Sequence, residues 1–522
     1  MDIKFKTLLS ILGLFIFCLV ACYATGYVQN IEEVYFYYVL GSVAAVILFL
    51  RIADGHPLVA SRLFLFYVCS VALYFPIGWL YGSPTYKIVG SLLETNLNEA
   101  AEFLHTIPIS VYLLQAIFFI LGLVTWKYVS RVFLRVGYWR KEKKIVLSVL
   151  LPIALSFSIV GNMLVDEEFN ETTLVIPVNI IGFYYDLVSA PSQYFSKRQV
   201  VLEQAKKPSS WHIRKVAPKY KNYVLVIGES ARSDYMNAYG FPLENTPFLS
   251  HTKGLLIDGY ISAAETTIES LPKTLSLPQQ SQNNIVSLAK QAGFQTAWLS
   301  NQGMLGFFAN EISAYAVRSD YPWFTQRGDF RKSVSMSDRL LLPQMERVLK
   351  TDSEGRSRLI VLHLMGSHND FCKRLDRDAE RFVYQTEKLS CYVATIAQTD
   401  RLLKDVVKIL DGKQESWSLV YFSDHGLKHT GRGAERTMIH GGDTRQSFTV
   451  PLVKISSDDT QHKIVKVQRS AFNFLRGFSY WTGIQTDELS VDGYDFFSGE
   501  PDLPSGSNNL DKVNRLPDDF IK

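Results

Sequence analysis

Five stretches of this 522-residue chain are apolar over lengths that a water-soluble fold seldom uses. They run 7–28, 33–52, 58–81, 107–126 and 144–164, with charge confined to their flanks. About 20 apolar residues suffice to cross the hydrocarbon core of a bilayer. The pattern therefore predicts five membrane-spanning helices rather than five buried helices of a globular protein. Apolar content is concentrated before residue 165, so the chain divides in two.

Loop charge sets the orientation. Lys4 and Lys6 precede the first span, Arg51 and Arg62 bracket the second loop, and Lys127, Arg131, Arg135, Arg140, Lys141, Lys143 and Lys144 crowd the fourth. The first loop holds Glu32 and Glu33, and the long third loop only Lys87 as a basic residue. By the positive-inside rule the basic loops are cytoplasmic and everything after residue 165 is exported. The net charge of +4 is thus largely a topology signal and does not suggest a nucleic-acid partner. LVAC at 19–22 also resembles a lipoprotein cleavage site, but cleavage would leave four spans and the same exported half. Cys18, Cys22 and Cys69 read as small apolar residues of the spans. Cys372 and Cys391 fall in the exported half, where an oxidising compartment makes them a natural disulfide pair.

Residues 1–165 are expected to form the membrane domain and 166–220 a connector, whose FYYDLVSAPSQYFSKRQV suits an amphipathic helix at the headgroup level. Residues 221–498 then alternate short apolar runs with helical stretches: YVLVIGES, GLLIDGYI, FQTAWLSN, RLIVLHLMGSH and SLVYFSDHG. Such runs are strands buried on both faces, which predicts an α/β domain with a largely parallel central sheet. The tail, 499–522, is rich in Pro, Asp and Asn and reads as a loose surface segment.

Several of these strands end in residues of metal-ligand type. VLVIGES delivers Glu229, RLIVLHLMGSH delivers His363 and His368, and SLVYFSDHG delivers Asp424 and His425. In open α/β sheets ligands bind beyond the carboxyl ends of the strands, so these residues can meet there. Carboxylates and imidazoles together suit zinc. Taken singly, the Asp-His pair is equally a turn carboxylate beside a packed histidine. YISAAETTIESLPKTLSL places Thr266 and Thr267 near a helix start, where a hydroxyl either caps the helix or attacks phosphorus beside the helix dipole.

The order GES, a threonine in a strand-to-helix turn, HLMGSH, SDHG and a later histidine resembles the phosphoethanolamine transferases of Gram-negative inner membranes, of the alkaline phosphatase and sulfatase superfamily. ARSDYMNAYGFPLENTPFLS and YVATIAQTDRLL look like family sequence too. RSAFNFLRGFSYWTGIQ adds to a likeness with the branch that modifies osmoregulated periplasmic glucans, the inner-core lipopolysaccharide transferases being nearby. The resemblance implies a five-helix membrane bundle followed by a sulfatase-like periplasmic domain. It makes Thr267, five positions before Pro272, the nucleophile, with Thr266 second. Glu229, Thr267, Asp424 and His425 would hold zinc in preference to manganese or another divalent ion. His363, His368 and His440 would bind the phosphate or a second zinc. Thr95 and Glu99, in SLLETNLNEAAEFLHT, would meet the ethanolamine head group.

The implied reaction takes phosphoethanolamine from phosphatidylethanolamine in the membrane to an envelope glycan, a periplasmic glucan or the lipopolysaccharide inner core, through a phosphoethanolamine-threonine. Two departures bear on the acceptor: the exported half has cysteines for one disulfide only, and SNQGMLG lacks the lysine expected near the phosphate. Both weigh against lipid A as acceptor. A glycerol-phosphate transferase of the lipoteichoic acid synthase type shares the five-span plan, and GESARSD argues against it. A sulfatase would need a C/S-x-P-x-R nucleophile that ETTIESLPK does not offer, and a degenerate membrane sensor would have lost ligands that are all present.

Overall fold

A computed structural model of the chain describes residues 3–25, 35–84, 109–136, 179–304, 311–325 and 336–519, with isolated positions between 86 and 152. It divides into two units, Met1–Ser196 and Lys197–Lys522, where the sequence suggested boundaries at 165 and 220.

In the first unit helices α1 (Ile3–Ala24), α2 (Tyr35–Gly55), α3 (Pro57–Tyr81) and α4 (Ile109–Val136) share one core. Leu14 and Phe17 of α1, Phe49 of α2, Phe64 and Val68 of α3, and Phe118 and Val129 of α4 meet there. Leu113, Ile117, Ile120 and Leu121 of α4 are left exposed, an apolar face that water would disfavour and lipid would not. Among the described residues three helices are long and apolar enough to cross a membrane: Phe5–Ala24, Pro57–Trp79 and Ile109–Arg135. Helix α2 packs with them but closes on an Arg51–Asp54 ion pair of 3.1 Å. The expected fifth span, 144–164, lies outside the described residues except at isolated positions, and Thr95 and Glu99 lie outside them altogether. Lys127, Arg131 and Arg135, expected in a loop, sit on the last turns of α4 instead. Their aliphatic stems can lie along apolar surface while the charges reach water, and a helix C-terminus favours cations.

Helix α5 (Asn179–Lys206) occupies the expected connector and contains the division between units. Beyond it Ile213–Val216 pairs antiparallel with Ile484–Thr486, so the end of the connector belongs to the second unit.

The second unit is built on ten strands that matter here: β1 (Asn222–Gly228), β2 (Gly254–Ile261), β3 (Gln295–Ser300), β4 (Tyr321–Phe324), β5 (Arg358–His363), β6 (Trp417–Ser423), β7 (Lys428–Thr430), β8 (Thr437–Ile439), β9 (Leu452–Ser456) and β10 (His462–Ser470). Strands β7 and β8 form a hairpin of their own. The other eight make one sheet in the order β10, β2, β9, β6, β1, β5, β3, β4. The sheet is mixed rather than simply parallel, because β9 runs antiparallel to both β2 and β6.

Both faces of the sheet are covered. Tyr223, Leu225 and Ile227 of β1 join Leu359, Val361, Val420 and Phe422 in one core, under α6 (Thr267–Leu275). Val224 and Val226 join Ile360, Leu362, Leu419 and Tyr421 in the other, under α7 (Glu387–Asp411). Alternate residues therefore face two different cores, which is why the strands read as unbroken apolar runs. Parallel pairing of β1 with β5 and β6 puts Ile227 beside His363 and Phe422, and Gly228 beside Ser423. The residues that follow, Glu229 and Asp424, thus emerge at one edge.

Cys372 and Cys391 are disulfide-bonded, joining the segment after β5 to α7. The tail departs from the loose segment expected of its composition. Helix α8 (Ser507–Asn514) packs Val513 against Ile261 and Phe448, and the carboxylates beyond it are engaged in the fold. A polar tail with one buried valine gives little sign of this in its sequence. Truncating the fully buried Leu362 to Ala should cost about 2–5 kcal/mol, read as a lowered midpoint of urea unfolding followed by near-UV circular dichroism.

Candidate active site

The chain leaves β1 through Glu229 and turns at Ser230, whose φ of 58° is left-handed. A non-glycine residue held there stores about 1–3 kcal/mol, so its surroundings must over-determine it. They do: Ser230 N–H donates to Asp424 Oδ1 (3.1 Å), its hydroxyl to Glu229 Oε1 (2.7 Å), and its carbonyl accepts from Tyr392 (2.8 Å). The turn thereby binds both carboxylates. The segment after β5 presses on the same place, for a Cβ on Gly366 (φ +44°) would lie 2.9 Å from Glu229 N. Asp338 pins that segment by accepting from Met365 N–H (2.8 Å) and Gly366 N–H (2.9 Å), and Arg374 backs Asp338 at 3.3 Å.

Helix α6 starts on the far side of this edge. Thr266 is its N-cap in extended conformation and makes no side-chain cap bond. Thr267, one residue on, donates its hydroxyl to Glu229 Oε2 at 3.0 Å and stands 3.4 Å from His425 Nε2. Of the two threonines, Thr267 is the one on the cluster.

His425 Nδ1 donates to the Gly426 carbonyl at 2.8 Å, which turns Nε2 toward the carboxylates. Nε2 lies 3.1 Å from Glu229 Oε1 and 3.6 Å from Asp424 Oδ2. All three side chains are almost fully buried. Burial and the neighbouring Glu229 charge push the Asp424 carboxyl up to about 7. For His425 burial works against the charge, but Asp424 and Glu229 overcome it and raise the imidazole to about 9. Burial would also raise Glu229, yet its bond to His425 and that ring's charge hold it well below the usual range. The pocket, left to itself, retains a proton as its positive charge.

His440 follows β8, its ring 4.9 Å from that of His425 and 6.4 Å from that of His368. Burial, then the His425 charge, depress His440 to about 4; burial depresses His368 as well. Glu229, His425 and His440 offer ligand atoms within 4.8 Å of one another. Asp424 Oδ2 is buried with no hydrogen-bond partner among the described residues. An orphaned carboxylate oxygen beside imidazoles and a second carboxylate fits a divalent metal ion.

The structure therefore brings together Glu229, Thr267, Asp424, His425 and His440, with His368 next to them. His363 is set deeper, its ring edge-on to Trp298 at 5.9 Å and its Nδ1 3.3 Å from Ser300 Oγ. Burial lowers it to about 4. Sequence reasoning missed Asp338, Tyr392 and Gln302. Gln302 stands in SNQGMLG, where a lysine was expected, and its amide donates to Glu229 Oε2 and the Leu364 carbonyl, both at 3.0 Å. The polar SNQ directly after a buried strand was the available signal.

Comparison with known proteins places these residues in context. The family described as Sulfatase matches residues 221–484. Phosphoethanolamine transferase OpgE of Escherichia coli K12 is 36% identical over 439 residues, 82% of this chain and 80% of the relative. A putative phosphoethanolamine transferase of Haemophilus influenzae is 36% identical over 378 residues, 69% of this chain and 72% of the relative. Among solved structures, the zinc complex of the C-terminal periplasmic domain of EcEptC from Escherichia coli is 21% identical, with a TM-score of 0.46 over 54% of this chain and 88% of that one.

A divalent ion held here would need its ligands deprotonated, so its binding would compete with the His425 proton below about pH 9 and no longer above it. Titrating metal-free protein with zinc at pH 7.5 should release protons, and the release should shrink as the pH rises through about 9. Calorimetry in buffers of different ionisation enthalpy measures this. Asp424→Asn should weaken binding by more than the roughly 10–100-fold typical of losing an outer-shell partner.

Proposed function

Because the chain belongs to the phosphoethanolamine transferases of the sulfatase family, we propose that it moves phosphoethanolamine from phosphatidylethanolamine to an envelope glycan by way of Thr267. The acceptor we assign is a periplasmic glucan or the lipopolysaccharide inner core. The observation that carries this is the Thr267 hydroxyl, 3.0 Å from Glu229 and 3.4 Å from His425 at the start of α6.

The Thr267 proton already points at a carboxylate that remains ionised at neutral pH. As it leaves, Oγ1 bonds to phosphorus and the bond from phosphorus to the diacylglycerol oxygen breaks, the proton passing by way of Glu229 and the flanking imidazoles to that oxygen so that diacylglycerol departs as the alcohol. The first-turn N–H groups of α6, which lack partners within the helix, would stabilise the negative charge that develops on the phosphoryl oxygens. In the second half an acceptor hydroxyl loses its proton, bonds to phosphorus and displaces Thr267. His440 and His368, uncharged at neutral pH and on the cluster's flank, are suited to take that proton and to give one to the departing oxygen. His363 backs them from within, or helps hold a second ion.

One or two zinc ions, the first on Glu229, Thr267, Asp424 and His425, would lower the hydroxyl's pKa and neutralise phosphoryl charge. The apolar helices would keep the catalytic unit at the periplasmic face of an inner membrane, where the donor head group lies, and that proximity favours the encounter. Thr95 and Glu99 stay assigned to the ethanolamine head group, Glu99 through its charge.

Peptide mass spectrometry on protein purified from membranes containing phosphatidylethanolamine should find phosphoethanolamine on the peptide bearing Thr267. Thr267→Ala should lose the adduct and lower transfer by on the order of 10³-fold or more. A glycerol-phosphate adduct at Thr267 would sink the assignment of donor, and an adduct surviving in Thr267→Ala would sink that of the nucleophile.

A further inference from the structure

Arg232, three residues past Glu229, is buried with 0% side-chain exposure. A guanidinium so placed must find acceptors for all five of its N–H groups. Asp234 takes Nε–H (2.8 Å) and one Nη2–H (2.6 Å), and the Leu427 carbonyl takes one Nη1–H (3.2 Å). The remaining two go to the tail: Nη1 to Asp519 Oδ2 (2.7 Å) and Nη2 to the Asp519 carbonyl (2.8 Å). Without Asp519 two donors of a buried cation would lose their partners.

Asp519 does more than complete Arg232. Its Oδ2 also accepts from the backbone N–H of His429 at 2.7 Å and lies 3.0 Å from His429 Nδ1, while His429 Nε2 meets the Tyr235 hydroxyl at 2.6 Å. Burial would raise the Asp519 carboxyl, but His429 and Arg232 hold it well below the usual carboxylate range. His429 is the middle residue of β7 and pairs with Met438 of β8, two residues before His440. The exit of the same hairpin is tied down as well. Asp519 N–H donates to Gln446 Oε1 (2.7 Å), the Gln446 amide to Asp518 Oδ1 (3.1 Å), and Arg445 N–H to the Pro517 carbonyl (3.0 Å). Both roots of the loop that carries His440 are thus sewn to residues 517–519.

We propose that Asp519 is a positioning residue of the active site, a clamp from the C-terminal segment that sets the β7–β8 hairpin so that His440 faces the Glu229–His425 cluster. This deepens the function proposed above and rests on it for the catalytic readout. The clamp acts through His440 and touches no reacting atom.

Hydrogen-exchange mass spectrometry and transfer kinetics on the full-length protein test it. Asp519→Asn and Asp519→Ala should raise amide exchange across residues 428–440 and leave β1 unchanged. They should lower kcat about 10–100-fold, with KM for phosphatidylethanolamine within about twofold. In a His440→Ala background the same substitutions should cost less than about threefold, because the clamp then has nothing to position. Should Asp519→Ala fail to fold by far-UV circular dichroism, Asp519→Asn carries the cycle. Unchanged exchange, or a full additional loss in His440→Ala, would overturn the clamp. If the wild-type protein transfers no phosphoethanolamine, the functional reading falls while the exchange experiment still decides the clamp.

Discussion

The second unit is organised around one costly arrangement: two carboxylates buried on either side of one imidazole nitrogen, 3.1 and 3.6 Å away, at the end of the sheet. Charges taken out of water must be paired or must coordinate something, since an isolated one costs several kcal/mol. Burial and the Glu229 charge drive Asp424 up, while against burial the two carboxylates raise His425 and His425 in turn lowers Glu229. The strained turn at Ser230 brings donors to these oxygens, while the close pass of Gly366 and the Asp338 brace hold the neighbouring segment against Glu229. A fold that needed only stability would have filled the position with apolar side chains. A fold that must seat a cation and a hydroxyl beside it cannot.

Much of this was legible in the residues, for a specific reason. Strands buried on both faces are continuous apolar runs, so the first polar residue after each run marks where the strand leaves the sheet. That logic found Glu229, Asp424 and His425 at one edge, and the structure puts the two carboxylates 3.1 and 3.6 Å from His425 Nε2. It could not choose between Thr266 and Thr267, because cap and first-turn positions carry the same residue types. The difference lies in which hydroxyl the backbone turns toward Glu229.

What stayed hidden depends on contacts between residues far apart in the chain. The partners of Arg232 include Asp519, 287 residues away, and no local pattern records that pairing. Gln302 was noticed for the lysine it is not rather than for the bond it makes to Glu229. The direction of β9 was equally illegible, since an apolar strand of VKIS type looks the same running either way. Of the five spans read from the sequence, three stand among the described helices as long and apolar enough to cross a membrane, and Tyr35–Gly55 packs with them in one core.

The order of the strands has a bearing on how the protein is made. Strand β1 lies between β5 and β6, so Glu229 waits for chain almost two hundred residues downstream before its neighbours exist. The hairpin of His440 follows, and Asp519 comes later still. Synthesis runs from the N-terminus, and contacts so distant in sequence pay their loop-closure entropy late. A nascent chain arrested short of residue 424 would expose apolar strands without Asp424 and His425 to stand beside Glu229. Catalytic competence is in that sense an all-or-nothing property of translation, acquired only after nearly all of the second unit has emerged.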